Sequence, residues 1–451
     1  MTALLLFGIF GLLIFLRVPI GISLGVSSLT VLLITVGTNG LDLVANIMYT
    51  SIAKFTLLAI PFFILAGVIM EHAGISRRLM NLAQTLVGHY KSGIVLITVL
   101  VAVFFAAISG SGPATVAAIG GILIPALAKS GFKKESGAAL VASAGSMGII
   151  LPPSIAFIVF AVVAGDQIPI SIGRLFIAGI VPGLLIAIAL VIAMLYVRWR
   201  QDVRESKKKV NNPSELADGE IAITKERASI KEMAKALLDA LWGLLVPIII
   251  LGGIYSGYFT PTEAAVVAVF YGLFVGVFIY RELNWKKLYQ IFVDASLQTA
   301  VVMLIVSTAS LFAYIITTEQ IARDVSNLLI GLTENPIIIL LIINIILLIA
   351  GMFIDAISAF YIFVPILLPV ILFLEVDPTV FGVFMTVNLA IGLFTPPVGL
   401  NLFVASGISN LSLVQISKGV APFVVAAVII LMLITYIPAI STFLPDLLNV
   451  H

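Results

Sequence analysis

Four short polar stretches interrupt otherwise apolar segments of this chain. They are Ser109-Gly110-Ser111-Gly112-Pro113, the run from Gly145 to Ser154, the run from Gly351 to Ser358, and the run from Gly392 to Gly399. Their glycines let the backbone turn and leave carbonyls accessible. Carbonyl and Ser/Thr oxygens suit a hard cation such as Na⁺, by the same logic that gives Ca²⁺ and Mg²⁺ all-oxygen shells. Pro152-Pro153 and Pro396-Pro397 break a helix, because each proline lacks an N–H and clashes with the carbonyl four residues back. The helix that resumes after a break begins with free N–H groups, which suit an anion. One constellation of this kind can hold a carboxylate together with its cations. The plain structural alternatives are a proline kink and close helix packing by small residues.

Asp355 is the most informative single residue. It is read as the only carboxylate deep inside an apolar block, where charge is costly and usually functional. It can bind a cation, accept from a polar substrate or carry a proton. A protonated Asp bonded to a neighbouring carbonyl is the structural alternative. Thr260-Pro261-Thr262-Glu263 reads as a capping box, so Glu263 is assigned to capping. His72, His89 and His451 lie at segment ends or in loops, which argues against a proton relay or a metal centre. There are no cysteines and no phosphate-binding Gly-x-x-x-x-Gly-Lys-Ser/Thr loop.

These stretches sit in a chain of 451 residues that is 61% hydrophobic and only 10% charged, against about 25% charged for a soluble domain. The expected fold is therefore an all-α polytopic membrane protein. Long continuous apolar runs exclude a β-barrel. Spans are expected at roughly 2–16, 19–36, 54–71, 135–165 and 174–197, and again at 238–257, 261–280, 295–316, 378–408 and 419–441. Two apolar blocks, 93–128 and 336–374, are split by small polar residues and read as re-entrant hairpins. Residues 75–90 and 319–333 read as short helices preceding them, the first of interfacial type. The first apolar run lacks a basic leader and does not read as a cleaved signal.

Charge orders these segments. If the soluble stretch is cytoplasmic, all Lys and Arg but Lys54, Arg174 and Arg323 fall on the cytoplasmic side, as positive-inside topology requires. The chain also repeats itself. Pro125 and Pro369, Gly148 and Gly392, and the two Pro-Pro pairs each lie 244 residues apart, and Pro19 and Pro261 lie 242 apart. Five crossings per half is an odd number, so the second half must be inverted. The expected units are 1–198, a charged cytoplasmic linker at 199–236, and 237–451. The linker, with Lys207-Lys208-Lys209, reads as disordered or loosely helical, a solvated cytoplasmic loop with a lipid or partner contact as the functional alternative. Inverted repeats with broken helices place a site at mid-membrane, where the repeats meet.

At Ala107–Thr115, Gly145–Ser154, Ala350–Ala356 and Asn388–Asn401 the sequence resembles the large membrane subunit of tripartite ATP-independent periplasmic (TRAP) transporters, the DctM type. The resemblance spans nearly the whole chain. It implies an elevator-type fold of the ion-transporter superfamily and no enzymatic activity. It implies Na⁺-coupled uptake of an organic acid across the bacterial inner membrane. Implied partners are a periplasmic binding protein, membrane lipid, and a small four-helix subunit, which should be separate because none is fused here; nucleic acid is not expected. By motif, Ser109, Ser154 and Asp355 would line the substrate site. One Na⁺ would sit near Ser111, Gly145 and Gly148, and a second near Gly351, Gly392, Thr395 and the Val398 carbonyl. The charged stretch is longer than the family usually has.

The competing readings are a stand-alone carrier of the same fold, a passive channel and an intramembrane protease. The protease is opposed by the lack of a second deep carboxylate or of a membrane histidine.

Overall fold

The computed structural model describes residues 2–87, 92–211, 228–333 and 335–450. Twenty α-helices account for nearly all of it. The first half contains α1 (Thr2–Phe15), α2 (Ile20–Thr35), α3 (Gly40–Ile52), α4 (Ala59–His72) and α5 (Ile75–Val87). These are followed by α6 (Gly93–Ser109), α7 (Gly112–Lys129), α8 (Lys134–Gly145), α9 (Ile155–Ala164) and α10 (Ile172–Asn211). The second half contains α11 (Ile230–Tyr255), α12 (Pro261–Phe274), α13 (Trp285–Thr318), α14 (Ile321–Leu332) and α15 (Pro336–Gly351). It continues with α16 (Ala356–Phe373), α17 (Pro378–Gly392), α18 (Leu400–Ser409), α19 (Leu413–Tyr436) and α20 (Ala439–Leu447). Among the described residues there is no strand, and eight helices are long and apolar enough to cross a membrane.

Both apolar blocks turn back on themselves. The chain leaves α6 through Gly110, whose φ of 60° suits a residue without a Cβ. Pro113 then occupies the first turn of α7, where its missing N–H costs nothing. The second hairpin turns between α15 and α16, and Asp355 caps the returning helix. Both expected breaks are present, and Pro152-Pro153 and Pro396-Pro397 are both cis. The halves share one order: spanning helices, a short helix, a hairpin, a broken helix and a long helix.

Residues Ser136–Gly145 of α8, all of α9, and Thr379–Gly392 of α17 are buried on every face. That explains their lack of amphipathic patterning. The helices before and after each break therefore form the centre, with the hairpins packed on them: α7 on α8 and α18, α15 on α17, and α16 on α9. A second group frames this centre, with α4 against α12 and α13, and α2 against α13. Helix α13 also contacts α16, so the two groups meet there.

Two elements differ from the sequence expectation. Helices α3 and α20 had no counterpart there. The stretch expected to begin a linker at 199 is helical through Asn211, and helix resumes at Ile230. Its Arg and Lys are strong helix formers, and Arg198 pairs with Asp202 one turn on. Residues 212–227, His89, Lys91 and His451 lie outside the described residues. Of the three cations off the basic side, Lys54 pairs with Asp166 at 2.7 Å, and Arg174 pairs with Asp446 at 3.1 Å and Asp377 at 3.4 Å. Glu263 closes a capping box with Thr260, as its sequence context indicates.

Candidate functional site

A cavity of about 310 Å³ opens where the hairpin tips meet the framing helices. Ser109, Ser111, Gly112 and Ala114 line it from the first hairpin, and Asp355 and Ile357 from the second. The breaks add Ile149, Ile155, Leu393 and Leu400. Helix α4 contributes Gly67, Val68 and Glu71, and α13 contributes Gln298, Val301, Val302 and Ile305.

At the first tip, the Ser109 and Thr115 hydroxyls lie 2.8 Å apart. Both donate to the Ser111 carbonyl, at 3.2 and 2.8 Å respectively. The Ser111 side chain makes no capping bond to α7. Gly148 lies against this tip so closely that a Cβ there would overlap the Ser111 carbonyl and sit 2.8 Å from the Thr115 hydroxyl. A Cβ on Gly145 would overlap the Val116 side chain and sit 3.2 Å from the Gly112 carbonyl. The expected first cation group is thus a cluster of oxygens closed by two glycines that only lack of a side chain permits. Such an all-oxygen set fits a hard monovalent cation.

The second group is built the same way. A Cβ on Gly392 would overlap the Gly351 carbonyl. Thr395 donates its hydroxyl to the Ile391 carbonyl at 2.6 Å and keeps its lone pairs free to accept. The carbonyls of Thr395 and Leu393 converge on Gly399, which bonds the Met352 carbonyl at 3.3 Å. Val398, half-buried, lies in the same turn. Among the described residues no group of three His, Asp or Glu side chains could hold a metal.

Asp355 is half-buried and does two things at once. One oxygen accepts from the Ser358 N–H at 3.0 Å, the other from the Ser358 hydroxyl at 2.6 Å. It caps α16 while facing the cavity. Ser154 differs from expectation. Fully buried, it donates to the Ile149 carbonyl at 2.6 Å and accepts from the Phe157 N–H at 3.3 Å. Its hydroxyl is turned into the break to cap α9, and only its neighbours Ile155 and Ala156 reach the cavity. An orphaned N–H at the start of a buried helix needs this partner more than a cavity needs another hydroxyl.

Four polar residues were not singled out from sequence. Glu71 sits at the end of a span and was set aside with other terminal carboxylates, yet it shares the cavity with Asp355. Gln298, on the long helix α13, faces it as well. Asn401, fully buried, donates to the Ala142 carbonyl at 2.9 Å, and its oxygen has no partner. That oxygen lies 3.1 Å from where a Cβ on Gly112 would stand, so the second break touches the first tip. Asn388 donates to the backbone and side-chain oxygens of Asn344, at 3.0 and 2.9 Å, beneath the second tip. The available signal was an amide inside an apolar run.

A fold all-helical among its described residues, with paired helix breaks and a largely apolar cavity into which two hairpin tips bring hydroxyls and a carboxylate, defines a membrane transport protein. The family model for the tripartite ATP-independent periplasmic transporter, DctM component, matches residues 7–440, and the chain belongs to this family. It is 46% identical over 97% of its length to the isethionate TRAP transporter permease protein DctMQ of Oleidesulfovibrio alaskensis, of which it spans 65%. It is 37% identical to the C4-dicarboxylate TRAP transporter large permease protein DctM of Rhodobacter capsulatus, over the full length of both. The Alcanivorax borkumensis YdaH transporter has the same fold, with a TM-score of 0.60 at 14% identity over 88% of each chain. The protein is thus a multi-pass transport permease of the inner membrane and not an enzyme.

Proposed function

We propose that this chain is the large membrane subunit of a Na⁺-coupled importer of an organic acid. The observation that carries the reading is that both hairpin tips line one cavity, with a cluster of oxygens and closely packed glycines beside each tip. The open N-terminus of α7 and the Ser109 and Ser111 hydroxyls hold the anionic group of the acid. Asp355 accepts a hydrogen bond from a polar group elsewhere on the acid. The two oxygen clusters take one Na⁺ each, so that cation and anion bind together and are carried together. The halves are inverted relative to one another, and the hairpins with their broken helices move as an elevator against the frame of α2, α4, α12 and α13. A periplasmic binding protein delivers the acid and a small four-helix subunit completes the membrane part. Relatives named for isethionate and for C4-dicarboxylates support the acid, and the family description supports the periplasmic component.

The test is uptake of a labelled acid into proteoliposomes holding this chain and its small subunit. Uptake that needs both an inward Na⁺ gradient and the binding protein is expected. Uptake of free acid by this chain alone would replace the tripartite reading with a stand-alone carrier. Flux indifferent to the Na⁺ gradient would overturn coupling.

A further inference from the structure

We infer that the Asn401 side-chain oxygen completes the first cation group, so that a ligand from the second half of the chain closes a site built by the first. The inference rests on the Na⁺-coupled reading above and adds a residue to one of its sites. Asn401 stands in the first turn of α18, just past the second break, and is fully buried. Its N–H donates to the Leu393 carbonyl at 2.9 Å across that break, which fixes where the side chain starts. The amide then reaches into the first half. Nδ2 donates to the Ala142 carbonyl at 2.9 Å, and Oδ1 has no partner.

The two ends of this amide touch the two elements that form the first cation group. Ala142 lies one turn before Gly145 in α8. Oδ1 lies 3.1 Å from where a Cβ on Gly112 would stand, on the residue directly after Ser111. Gly112 also faces Gly145, with its carbonyl 3.2 Å from the Cβ position there, and the Ser111 carbonyl meets Gly148. Asn401 thus sits at the seam between the first tip and the first break. The bond to Ala142 sets the orientation of the amide, because reversing it would place Oδ1 against another oxygen. A buried oxygen without a donor is costly, and a leucine of similar size would fill the space without that cost. An amide oxygen with free lone pairs is a ligand that a hard cation accepts. It adds no buried formal charge to the carbonyls and hydroxyls around it.

The test is the melting temperature of the full chain with its small subunit, titrated with Na⁺ against K⁺ at constant ionic strength, together with binding of radiolabelled Na⁺. Asn401→Leu removes both ends of the amide. Asn401→Asp is isosteric, loses the donor to Ala142 and keeps an oxygen in the place of Oδ1. The leucine variant is expected to need at least about tenfold more Na⁺ for half-maximal stabilisation. The aspartate variant is expected to melt lower in K⁺ yet to need no more Na⁺ than the wild type. Asn401→Thr, which keeps a neutral oxygen, is expected to fall between them and serves where a buried carboxylate prevents folding. A wild-type Na⁺ requirement in Asn401→Leu overturns the inference. So does an equal loss of Na⁺ affinity in the leucine and aspartate variants, which assigns the residue to its bond with Ala142. So does a melting change of the same size in Na⁺ and K⁺, which assigns it to packing. No response of the wild type to Na⁺ overturns the coupled reading, and this ligand with it.

Discussion

Gly392 rests directly on the Gly351 carbonyl, leaving no volume for even one methyl group between the second hairpin and the second helix break. Two residues far apart in the chain therefore share one requirement. Gly392→Ala would force the tip away from the break. Overpacking of a tight contact costs about 1–3 kcal/mol. The expected outcome is a lower melting temperature in detergent, together with loss of the further stabilisation by Na⁺ that the proposed coupling predicts for the wild type. A variant that melts and responds to Na⁺ like the wild type would show the contact to be slack.

The two roles of Asp355 can be separated by chemistry. Asparagine caps a helix about as well as aspartate. Asp355→Asn should therefore melt near the wild type while uptake falls to background. Asp355→Ala removes the cap as well and should cost about 1 kcal/mol more. Uptake by Asp355→Asn at the wild-type rate would confine the residue to capping.

Thr395→Val keeps the shape and removes the hydroxyl whose lone pairs remain free. Half-maximal uptake should then need about tenfold more Na⁺, equivalent to about 1.4 kcal/mol. The sodium dependence of initial uptake rates measures this directly. An unchanged dependence would remove the hydroxyl from the proposed cation site.

Asn344 joins three elements. Its amide donates to the Leu340 carbonyl and to the Thr435 hydroxyl, and its oxygens accept from Asn388. Asn344→Leu leaves the buried Asn388 amide without its side-chain partner, at a cost of about 1–3 kcal/mol. The combined Asn344→Leu, Asn388→Leu variant should recover part of that loss, because no donor is then stranded. Melting temperatures of the three variants against the wild type test this; a double variant worse than the sum would show that the pair acts through packing.

The membrane class, the two hairpins, the two breaks and their spacing were legible in the residues. Each depends on local chemistry: apolar runs of spanning length, prolines that deny a helix its bonds, and glycines that permit a turn. Asp355 was legible for the same reason, as a lone carboxylate in an apolar block. Helix α10 continues beyond Val197 to Asn211 because the charged residues there are good helix formers, which settles between the disordered and helical readings of that stretch.

What the tertiary structure decided is where each polar group points and what faces it. Ser154 and Ser109 look alike in sequence, yet Ser154 is spent inside the break while Ser109 lines the cavity. Glu71 looked terminal, and only the packing of Gly67 on Ser109 brings it into the same cavity as Asp355. The breaks and turns follow from backbone bonds between near neighbours, which the sequence states outright. The composition of the cavity follows from which helices touch, and that is settled by the burial of whole faces at once.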